Sequence, residues 1–231
     1  MSHDCMQQDW DDLAMVHWRM PAPELERRLP PGLTADTYDG AAWISAVPFR
    51  LTIRALRHAP ALGPFSEVNL RTYVRGPLGP GIWFFSLEAP GRPAVWGGRI
   101  LYGLPYRRAE TSQLAAGALR VYASRARSGP AGFGLALELA GDRPEDDLDV
   151  FLTERYLMYS SWLGRLWASR VRHPRWAMHA ADVVRCEETL CAAAGLERRR
   201  GVPERAHHSE RMRALFDWPR VVPASRLRNS A

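Results

Sequence analysis

The stretch FSEVNLRTYVR, residues 65–75, decides the fold because apolar and polar side chains alternate along it with a period of two. We predict a β-strand over Val68–Arg75. One face of this strand carries four polar side chains: Glu67, Asn69, Arg71 and Tyr73. A second strand, Ile82–Glu88 (IWFFSLE), follows a Gly-Pro-Gly turn and is apolar on both faces. The two strands are therefore expected to form a central antiparallel hairpin.

Short apolar runs separated by glycine and proline make up the rest of the chain, which is typical of sheet-rich folds. Further strands are predicted at residues 13–18, 41–54 (broken at Pro48), 118–127, 134–140 and 212–222, with a hairpin at 157–172 about Gly164. Helices are predicted at residues 21–29, 94–102 and 150–156, and within 183–194. We therefore predict one α+β domain over residues 10–222, built on a curved antiparallel sheet or barrel, and a frayed C-terminal tail, residues 223–231.

Composition places the chain among globular proteins. Of 231 residues, 46% are hydrophobic and 24% are charged, which excludes disordered and fibrous classes. No apolar run approaches the roughly 18 residues of a membrane helix, and the polar start MSHDCMQQDWDD does not resemble a secretory signal. The three cysteines are an odd number, which indicates reduced thiols and a cytoplasmic protein.

All 31 basic residues are arginine, and the chain contains no lysine. A Schiff base with a lysine amine is therefore excluded, as is a lysine general base. The net charge of +6 raises the question of nucleic-acid binding. However, the arginines are dispersed, the runs Arg107–Arg108 and Arg198–Arg200 are short, and no nucleic-acid motif is present. The pattern favours a solvated surface with some anion-binding arginines.

Standard catalytic motifs are mostly absent. There is no G-x-S-x-G sequence, and the glycine clusters at 76–81 and 129–134 fit hairpin turns better than a dinucleotide-binding loop. His207 and His208 stand between two glutamates in a polar stretch, which predicts a solvated loop.

In a closed barrel, the polar face of residues 67–73 would point into a cavity. Buried charges must be paired, so Glu67 is expected to be compensated by Arg71, Arg99 or Arg107. Two alternatives stay open: a self-satisfied polar network that only fixes the barrel, and a face that is simply exposed.

Several motifs occur in order along the chain. They are H-W-R at 17–19, L-P-P-G-L at 29–33, V-P-F at 47–49, E-x-N-x-R-T-Y-V at 67–74, W-F-F-S-L at 83–87 and G-x-P-Y at 103–106. On these motifs the chain resembles the YqjF-like uncharacterised family of the acetoacetate decarboxylase-like superfamily, over about residues 10–222. The resemblance implies a cone-shaped antiparallel β-barrel with a few short helices, often in oligomers, and a buried site in the cone.

The same resemblance explains what this chain lacks. The decarboxylases carry their Schiff-base lysine and a neighbouring lysine in the motif G-R-E-x4-P-K-K. Tyr106 and Arg107 stand at those two positions here, whereas Glu67 matches a retained acid of the decarboxylase site. A second acid has no clear counterpart, Ser45 being nearest by spacing. Imine-forming decarboxylation is thus excluded by the motif and by the composition.

These observations give a hypothesis for the site. Glu67 would act as general acid or base, Tyr106 would donate a hydrogen bond to a carbonyl, and His17 is a second proton-transfer candidate. Candidate substrate-binding residues are Arg107, Arg99, Arg71, Tyr73, Asn69, Trp18, Trp83 and Trp96. Among these, Arg107 or Arg99 would hold a carboxylate or enolate oxygen, and the tryptophans fit packing or a pocket wall.

The sequence therefore predicts a lysine-independent enzyme of the lyase, isomerase or cyclase type. Its ligand would be a small oxo-acid or polyketide-like compound with a carboxylate or carbonyl group, and no metal or cofactor is expected. The alternative is a non-catalytic barrel that binds or senses a small molecule and uses Glu67 only as a counter-ion. A homo-oligomer is left open, and no membrane partner is expected.

Overall fold

A computed structural model describes residues 4–55, 60–141 and 143–223 of the chain. Within them lie thirteen strands: β1 (Asp4–Met20), β2 (Thr34–Ala35), β3 (Ala42–Arg54), β4 (Leu62–Gly76), β5 (Gly79–Ala89), β6 (Tyr106–Ala116), β7 (Leu119–Ala126), β8 (Gly132–Leu139), β9 (Leu157–Trp162), β10 (Arg165–Arg172), β11 (His179–Glu188), β12 (Arg205–Asp217) and β13 (Arg220–Val221). The four helices are short: α1 (Ala22–Glu26), α2 (Arg92–Tyr102), α3 (Asp147–Thr153) and α4 (Leu190–Ala193). Residues 224–231 of the predicted tail lie outside the described residues.

Two closed circuits of hydrogen-bonded strands share one wall, formed by β12, β1, β3, β4 and β5 in that order. Strands β6, β7, β8 and β11 complete a nine-strand barrel with this shared wall. On the other side, β9 and β10 complete a seven-strand circuit, which closes through a short pairing of β10 with β12. The shared wall therefore buries both of its faces.

Each face of the shared wall packs against a separate core. On β4, the side chains of Val68 and Leu70 enter the nine-strand barrel, where they join Tyr122 and Phe133 in one apolar cluster. Tyr73, on the opposite face, packs in a cluster of the seven-strand circuit that includes Phe84, Tyr106, Met158 and Phe216. The alternation in residues 65–75 thus separates two interiors, whereas in a simple barrel it would separate an interior from solvent.

The barrel is mixed rather than antiparallel, because β5 pairs in parallel with both β6 and β9. Parallel neighbours need a crossover connection, and α2 supplies it between β5 and β6. Helix α2 begins with Pro93 in its first turn and ends at Gly103, whose φ of 61° is left-handed. The predicted hairpins β4–β5 and β9–β10 are confirmed.

The predicted break at Pro48 is wrong, because β3 runs through this residue and Pro48 faces Val68 of β4. On its other edge, β3 has no partner at residues 47–49, since β1 bulges there between Asp11 and Val16. A proline has no N–H to donate, so it is tolerated in a strand beside a bulge. Asp12, within the bulge, has a φ of 50°.

Two other sequence predictions need correction, and one strand was missed. Residues 183–188 belong to β11, which pairs with β8, and only Leu190–Ala193 are helical. Strand β6 was not predicted because most of its residues are polar and only two of the eleven are buried. The predicted solvated loop at His207 and His208 is a buried part of β12, with the two side chains 2% and 0% exposed.

None of the helices in the described residues is long and apolar enough to cross a membrane. The three cysteines, Cys5, Cys186 and Cys191, are free thiols.

The parallel junction of β5 and β9 depends on a residue without a side chain. A Cβ added to Gly81 would lie 2.6 Å from the Leu157 carbonyl oxygen and 3.1 Å from the Tyr159 ring. We expect Gly81→Ala to lower the free energy of unfolding by about 1–3 kcal/mol, as overpacking does in close-packed interiors. The measurement is urea unfolding followed by circular dichroism. Gly134→Ala in β8 is the control, because an added Cβ there meets nothing within 4 Å; equal effects of the two variants would contradict the proposed junction.

Candidate functional site

An interior cavity of about 50 Å³ lies inside the seven-strand circuit. All seven strands of that circuit contribute to its wall, which is largely aromatic and aliphatic. Its polar lining consists of Asn69, Arg71, Thr153, Arg155 and His173. Its aromatic lining consists of Trp10, Phe49, Phe84, Trp176 and Phe216. Because a few water molecules fill a space of this size, the cavity fits a small polar group within an apolar surround.

Arg71 brings a positive charge to the cavity wall. Its side chain is buried, and its Nη2 donates to the Met15 sulfur at 3.2 Å and to the Leu152 carbonyl oxygen at 3.4 Å. Its Nε has no hydrogen-bond partner, and no carboxylate of the described residues forms an ion pair with it. A buried guanidinium without a counter-ion is costly, so this position favours an anion in the cavity.

The second arginine of the cavity differs in this respect. Arg155 Nη1 lies 2.7 Å from a carboxylate oxygen of Asp36, and both side chains are buried. Its guanidinium also stands over the rings of Phe151 and Tyr73, at 4.3 and 5.4 Å from their centroids. The charge of Arg155 is therefore neutralised within the protein, and Arg71 is the arginine of this wall that is left for a ligand.

Glu67 lies two strand positions beyond Asn69 on the same face of β4 and is 2% exposed. Its carboxyl group interacts with the Tyr106 hydroxyl, and its Oε2 atom has no hydrogen-bond partner among the described residues. Burial raises the pKa of Glu67 to about 8, although the hydrogen bond from Tyr106 acts in the opposite direction. At neutral pH the carboxyl group is thus mostly protonated.

The expected compensation of Glu67 by an arginine is wrong. No ion pair joins Glu67 to Arg71, Arg99 or Arg107 within the described part of the chain, and its partner is Tyr106 instead. The physical reason is that protonation removes the buried charge, so a counter-ion is not needed. Burial and the adjacent carboxyl also raise the pKa of Tyr106, which stays a neutral hydrogen-bond donor.

His17 is fully buried on the same side of the shared wall. Its Nδ1 lies 2.6 Å from the Ser45 hydroxyl, and its Nε2 lies 3.1 Å from Nδ1 of His207. The sequence analysis did not identify His207 or Asp149 as neighbours of His17, because both lie far from His17 along the chain. The signal that was available is the alternation in residues 205–217, which marks a strand with a buried face.

The other predicted binding residues do not line the interior cavity. Arg99 lies on α2, and its Nε donates to the backbone carbonyl of Tyr106 at 2.8 Å. Arg107 is half-buried and faces Glu88 across the parallel pairing of β5 and β6. The three tryptophans occupy separate environments: Trp18 in the core of the nine-strand barrel, Trp83 in a surface depression beside Arg99, and Trp96 on α2 with 64% of its surface exposed.

The pKa of Glu67 gives a pH dependence with a defined sign. Between its ordinary pKa of 4.5 and about 8, the folded chain holds a proton that the unfolded chain has lost. The contribution of Glu67 to the free energy of unfolding therefore falls as the pH rises through this range, by about 1 kcal/mol per pH unit. We expect Glu67→Gln to remove this slope.

Urea unfolding of both proteins at several pH values between 5 and 8 measures the difference. Glu210→Gln, on the exposed face of β12, is the control and should keep the wild-type slope. Parallel profiles for the wild type and Glu67→Gln would show that the carboxyl group is ionised throughout.

Comparisons with known proteins agree with this architecture. The Bacillus subtilis (strain 168) protein "Uncharacterized protein YqjF" is 34% identical over 221 residues, which cover 93% of this chain and 90% of the relative. An acetoacetate decarboxylase from Legionella pneumophila is similar in structure, with a TM-score of 0.69, 13% identity and coverage of 94% of this chain and 87% of that one. The enduracididine biosynthesis enzyme MppR, in a complex with pyruvate, gives a TM-score of 0.63 at 14% identity, with 97% and 93% of the two chains covered.

At such low identities the solved structures show a common fold and no more. The family assignment comes from the sequence itself, because residues 7–213 match the model of the family DUF2071, described as "Uncharacterized conserved protein (COG2071)". This match and the identity to YqjF together show that the chain belongs to the DUF2071 family and has an acetoacetate decarboxylase-like fold.

Proposed function

We propose that the protein binds a small organic carboxylate in the interior cavity, with the carboxylate on Arg71. The observation that carries this proposal is the buried guanidinium of Arg71, which has no acidic partner among the described residues and a free Nε donor. An arginine matches the planar geometry of a carboxylate and forms charge-assisted hydrogen bonds with it. The buried amide oxygen of Asn69, also without a partner, would accept a hydrogen bond from a hydroxyl or enol group of the same ligand.

We further propose that the bound compound undergoes acid–base chemistry, so that the protein is a lyase, isomerase or cyclase acting on an oxo-acid or polyketide-like compound. Glu67, protonated at neutral pH, supplies a proton donor, and Tyr106 holds it in place. Arg71 stabilises the enolate that forms when a proton leaves the carbon beside a carbonyl. Because the chain contains no lysine, the reaction must proceed without a Schiff base between the substrate and a lysine amine.

The spacing along β4 indicates the length of such a substrate. Glu67 and Arg71 are four residues apart in an extended strand, so their Cα atoms are separated by about 13 Å. A ligand the size of pyruvate, which is the compound bound to MppR, would contact Arg71 and Asn69. A longer oxo-acid would extend toward Glu67, provided that side chains in the wall move.

A second candidate function is a binding or sensing barrel without catalysis. The enclosure of Glu67 favours it, because Glu67 does not line the interior cavity and its Oε2 has no partner in the described structure. In this alternative Arg71 binds the same carboxylate, and the protonated Glu67 side chain only packs in the protein interior. The two functions differ in whether the bound compound exchanges protons.

Binding is tested first with Arg71→Met. We expect this variant to lose at least tenfold in affinity for pyruvate and 2-oxohexanoate, measured by isothermal titration calorimetry, because the carboxylate loses its charged partner. Its thermal stability should equal or exceed that of the wild type, since an uncompensated buried charge has been removed. Arg50→Met, at an exposed position of β3, is the control. Unchanged affinity in Arg71→Met, or equal affinity of the wild type for pyruvate and its methyl ester, would contradict the site.

Catalysis is tested by deuterium exchange. We expect the wild-type protein to accelerate exchange of the protons beside the carbonyl of 2-oxohexanoate in D₂O, followed by proton NMR. Glu67→Gln should reduce the acceleration at least tenfold while binding persists, because the amide cannot transfer a proton. Tight binding without accelerated exchange would select the non-catalytic barrel.

A further inference from the structure

A continuous chain of hydrogen bonds, which the carboxylate site does not use, runs beside Arg71. An oxygen of Asp149 lies 2.7 Å from Nε2 of His207, and Nδ1 of His207 lies 3.1 Å from Nε2 of His17. Nδ1 of His17 is 2.6 Å from the Ser45 hydroxyl and 3.2 Å from the Tyr73 hydroxyl, which are 2.8 Å from each other. All five side chains are buried.

The strand register of the shared wall brings these residues together. His17 on β1 faces Ser45 on β3, and Ser45 faces Arg71 on β4. These three side chains therefore form a row across adjacent strands, with Cβ atoms about 5 Å apart between neighbours. His207 on β12 faces Met15, two positions from His17 and on the same side of β1.

Asp149 fixes the direction of the hydrogen bonds. Hydrogen bonds from His207 and Arg143 and from the backbone N–H of Asp146 hold the pKa of Asp149 well below its usual range, so this carboxylate is ionised. It therefore accepts the Nε2 proton of His207. Nδ1 of His207 then accepts from Nε2 of His17, and Nδ1 of His17 accepts from the hydroxyl of Ser45. From Ser45 onward every donor in the chain points toward Asp149, whereas the Tyr73 hydroxyl donates to the Leu152 carbonyl oxygen.

The outer end of the chain reaches a surface depression, and its inner end lies behind the wall of the interior cavity, next to Arg71. His207 and Asp149 line a surface depression of about 350 Å³, the outer depression. At the inner end, the Tyr73 hydroxyl donates to the Leu152 carbonyl oxygen at 2.8 Å, and Nη2 of Arg71 donates to the same oxygen. Thr153 and Trp176 line both the outer depression and the interior cavity, so the two spaces lie back to back.

We propose that Asp149, His207, His17, Ser45 and Tyr73 form a proton relay between solvent in the outer depression and the Arg71 end of the interior cavity. The relay deepens the proposed function and rests on it, because the compound that exchanges the proton is the oxo-acid held by Arg71. Tyr73 and Ser45 form the inner end of the relay behind Arg71, and His17, His207 and Asp149 act through them.

The proton balance of one turnover is simple. A proton leaves the carbon beside the substrate carbonyl and passes to the Tyr73 oxygen, as the Tyr73 hydroxyl turns from the Leu152 carbonyl toward Ser45. The electron pair stays on the substrate as an enolate beside Arg71, and Glu67 passes its proton to the enolate oxygen to give the enol. The Tyr73 proton moves to Ser45, the Ser45 proton to Nδ1 of His17, and the Nε2 proton of His17 to Nδ1 of His207. His207 becomes an imidazolium beside Asp149 and releases one proton to water in the outer depression. The reverse sequence reprotonates the substrate.

The buried position of His17 and most of the charged groups around it disfavour its protonated form, so His17 passes a proton on without keeping it. Burial lowers the pKa of His17 well below its ordinary value. Repulsion from His207, when that ring is protonated, and from Arg71 and Arg205 adds to this effect, whereas Asp149 opposes it. His17 therefore returns to its neutral form after each transfer. The carboxylate of Asp149 lies 2.7 Å from Nε2 of His207, so a proton that arrives at His207 stands beside a negative charge at the outer depression.

A neighbouring pair shows what a purely structural histidine looks like in this fold. His208 Nε2 lies 2.7 Å from an oxygen of Asp12 on the opposite face of the wall, and its Nδ1 has no partner within the described residues. That pair ends at the histidine, whereas the one at His207 continues through three further side chains. His208 therefore offers a matched control for the loss of a buried histidine–aspartate pair.

The test that needs no ligand is solvent exchange of the His17 Nε2 proton, measured by NMR on protein labelled with ¹⁵N-histidine. His207→Gln keeps an acceptor for this proton but cannot carry it further. We expect the exchange rate to fall at least tenfold in His207→Gln and to stay at the wild-type value in His208→Gln. Equal rates in the wild type and His207→Gln would overturn the relay and leave a structural network.

A second measurement separates the relay from the proposed function. In wild-type protein, His17 and His207 should both carry their proton on Nε2, and Asp149→Asn should move the His207 proton to Nδ1, because the amide group then donates to Nε2. Deuterium exchange of 2-oxohexanoate should fall at least tenfold in both variants, with its affinity changed less than twofold. If the wild type binds no oxo-acid, the proposed function fails; the relay fails if the Asp149→Asn tautomer or the His17 exchange rate is unchanged. Should His207→Gln not fold, Asp149→Asn carries the same test.

Discussion

The constraint on which the structure depends is that the shared wall has no solvent face. Each of its five strands alternates between two interiors, so every side chain along β12, β1, β3, β4 and β5 near the site must be either apolar or neutralised inside the protein. An ordinary antiparallel sheet sends its polar residues to water. Here the polar face of β4 is enclosed by β9 and β10, and its four polar side chains must find partners in a confined space.

Two solutions to a buried charge occur within this one region. Arg155 and Asp36 form a buried ion pair, which neutralises both groups. Glu67 keeps its proton and interacts with a tyrosine hydroxyl. Arg71 has neither solution, because a guanidinium does not give up its proton and no acid of the described residues forms an ion pair with it. The charge of Arg155 is paired and that of Glu67 is removed by protonation, whereas the charge of Arg71 has no partner. Arg71 therefore marks the position where a bound anion would complete the site.

The sequence was sufficient for the parts of the fold that depend on local pattern. Period-two alternation predicted β4, and a turn with two apolar flanks predicted its hairpin with β5. The sequence was not sufficient to predict the seven-strand circuit. The pairing of β10 with β12 that closes this circuit covers only two residues on each strand, such as Val171 opposite Phe216, and so produces no periodic sequence pattern. The polar face was identified from residues 67–73, yet the protonation of Glu67 follows from tertiary burial, which reversed the expected pairing with an arginine. Arg155 lies outside the regular strands and carried no signal.

The hydrogen bond between His17 and His207 spans 190 positions of the chain, and the pairing of β1 with β12 completes the shared wall. Contacts of such separation slow folding, because loop closure must precede any stabilisation from them. During synthesis, His17 and β1 leave the ribosome long before β12 exists. The N-terminal strands of the wall therefore have an unpaired edge until β12 has been made. The site is therefore among the last features of the molecule to form. An incomplete chain would expose sheet edges that pair readily with other chains, which makes this fold dependent on protection while it is being made.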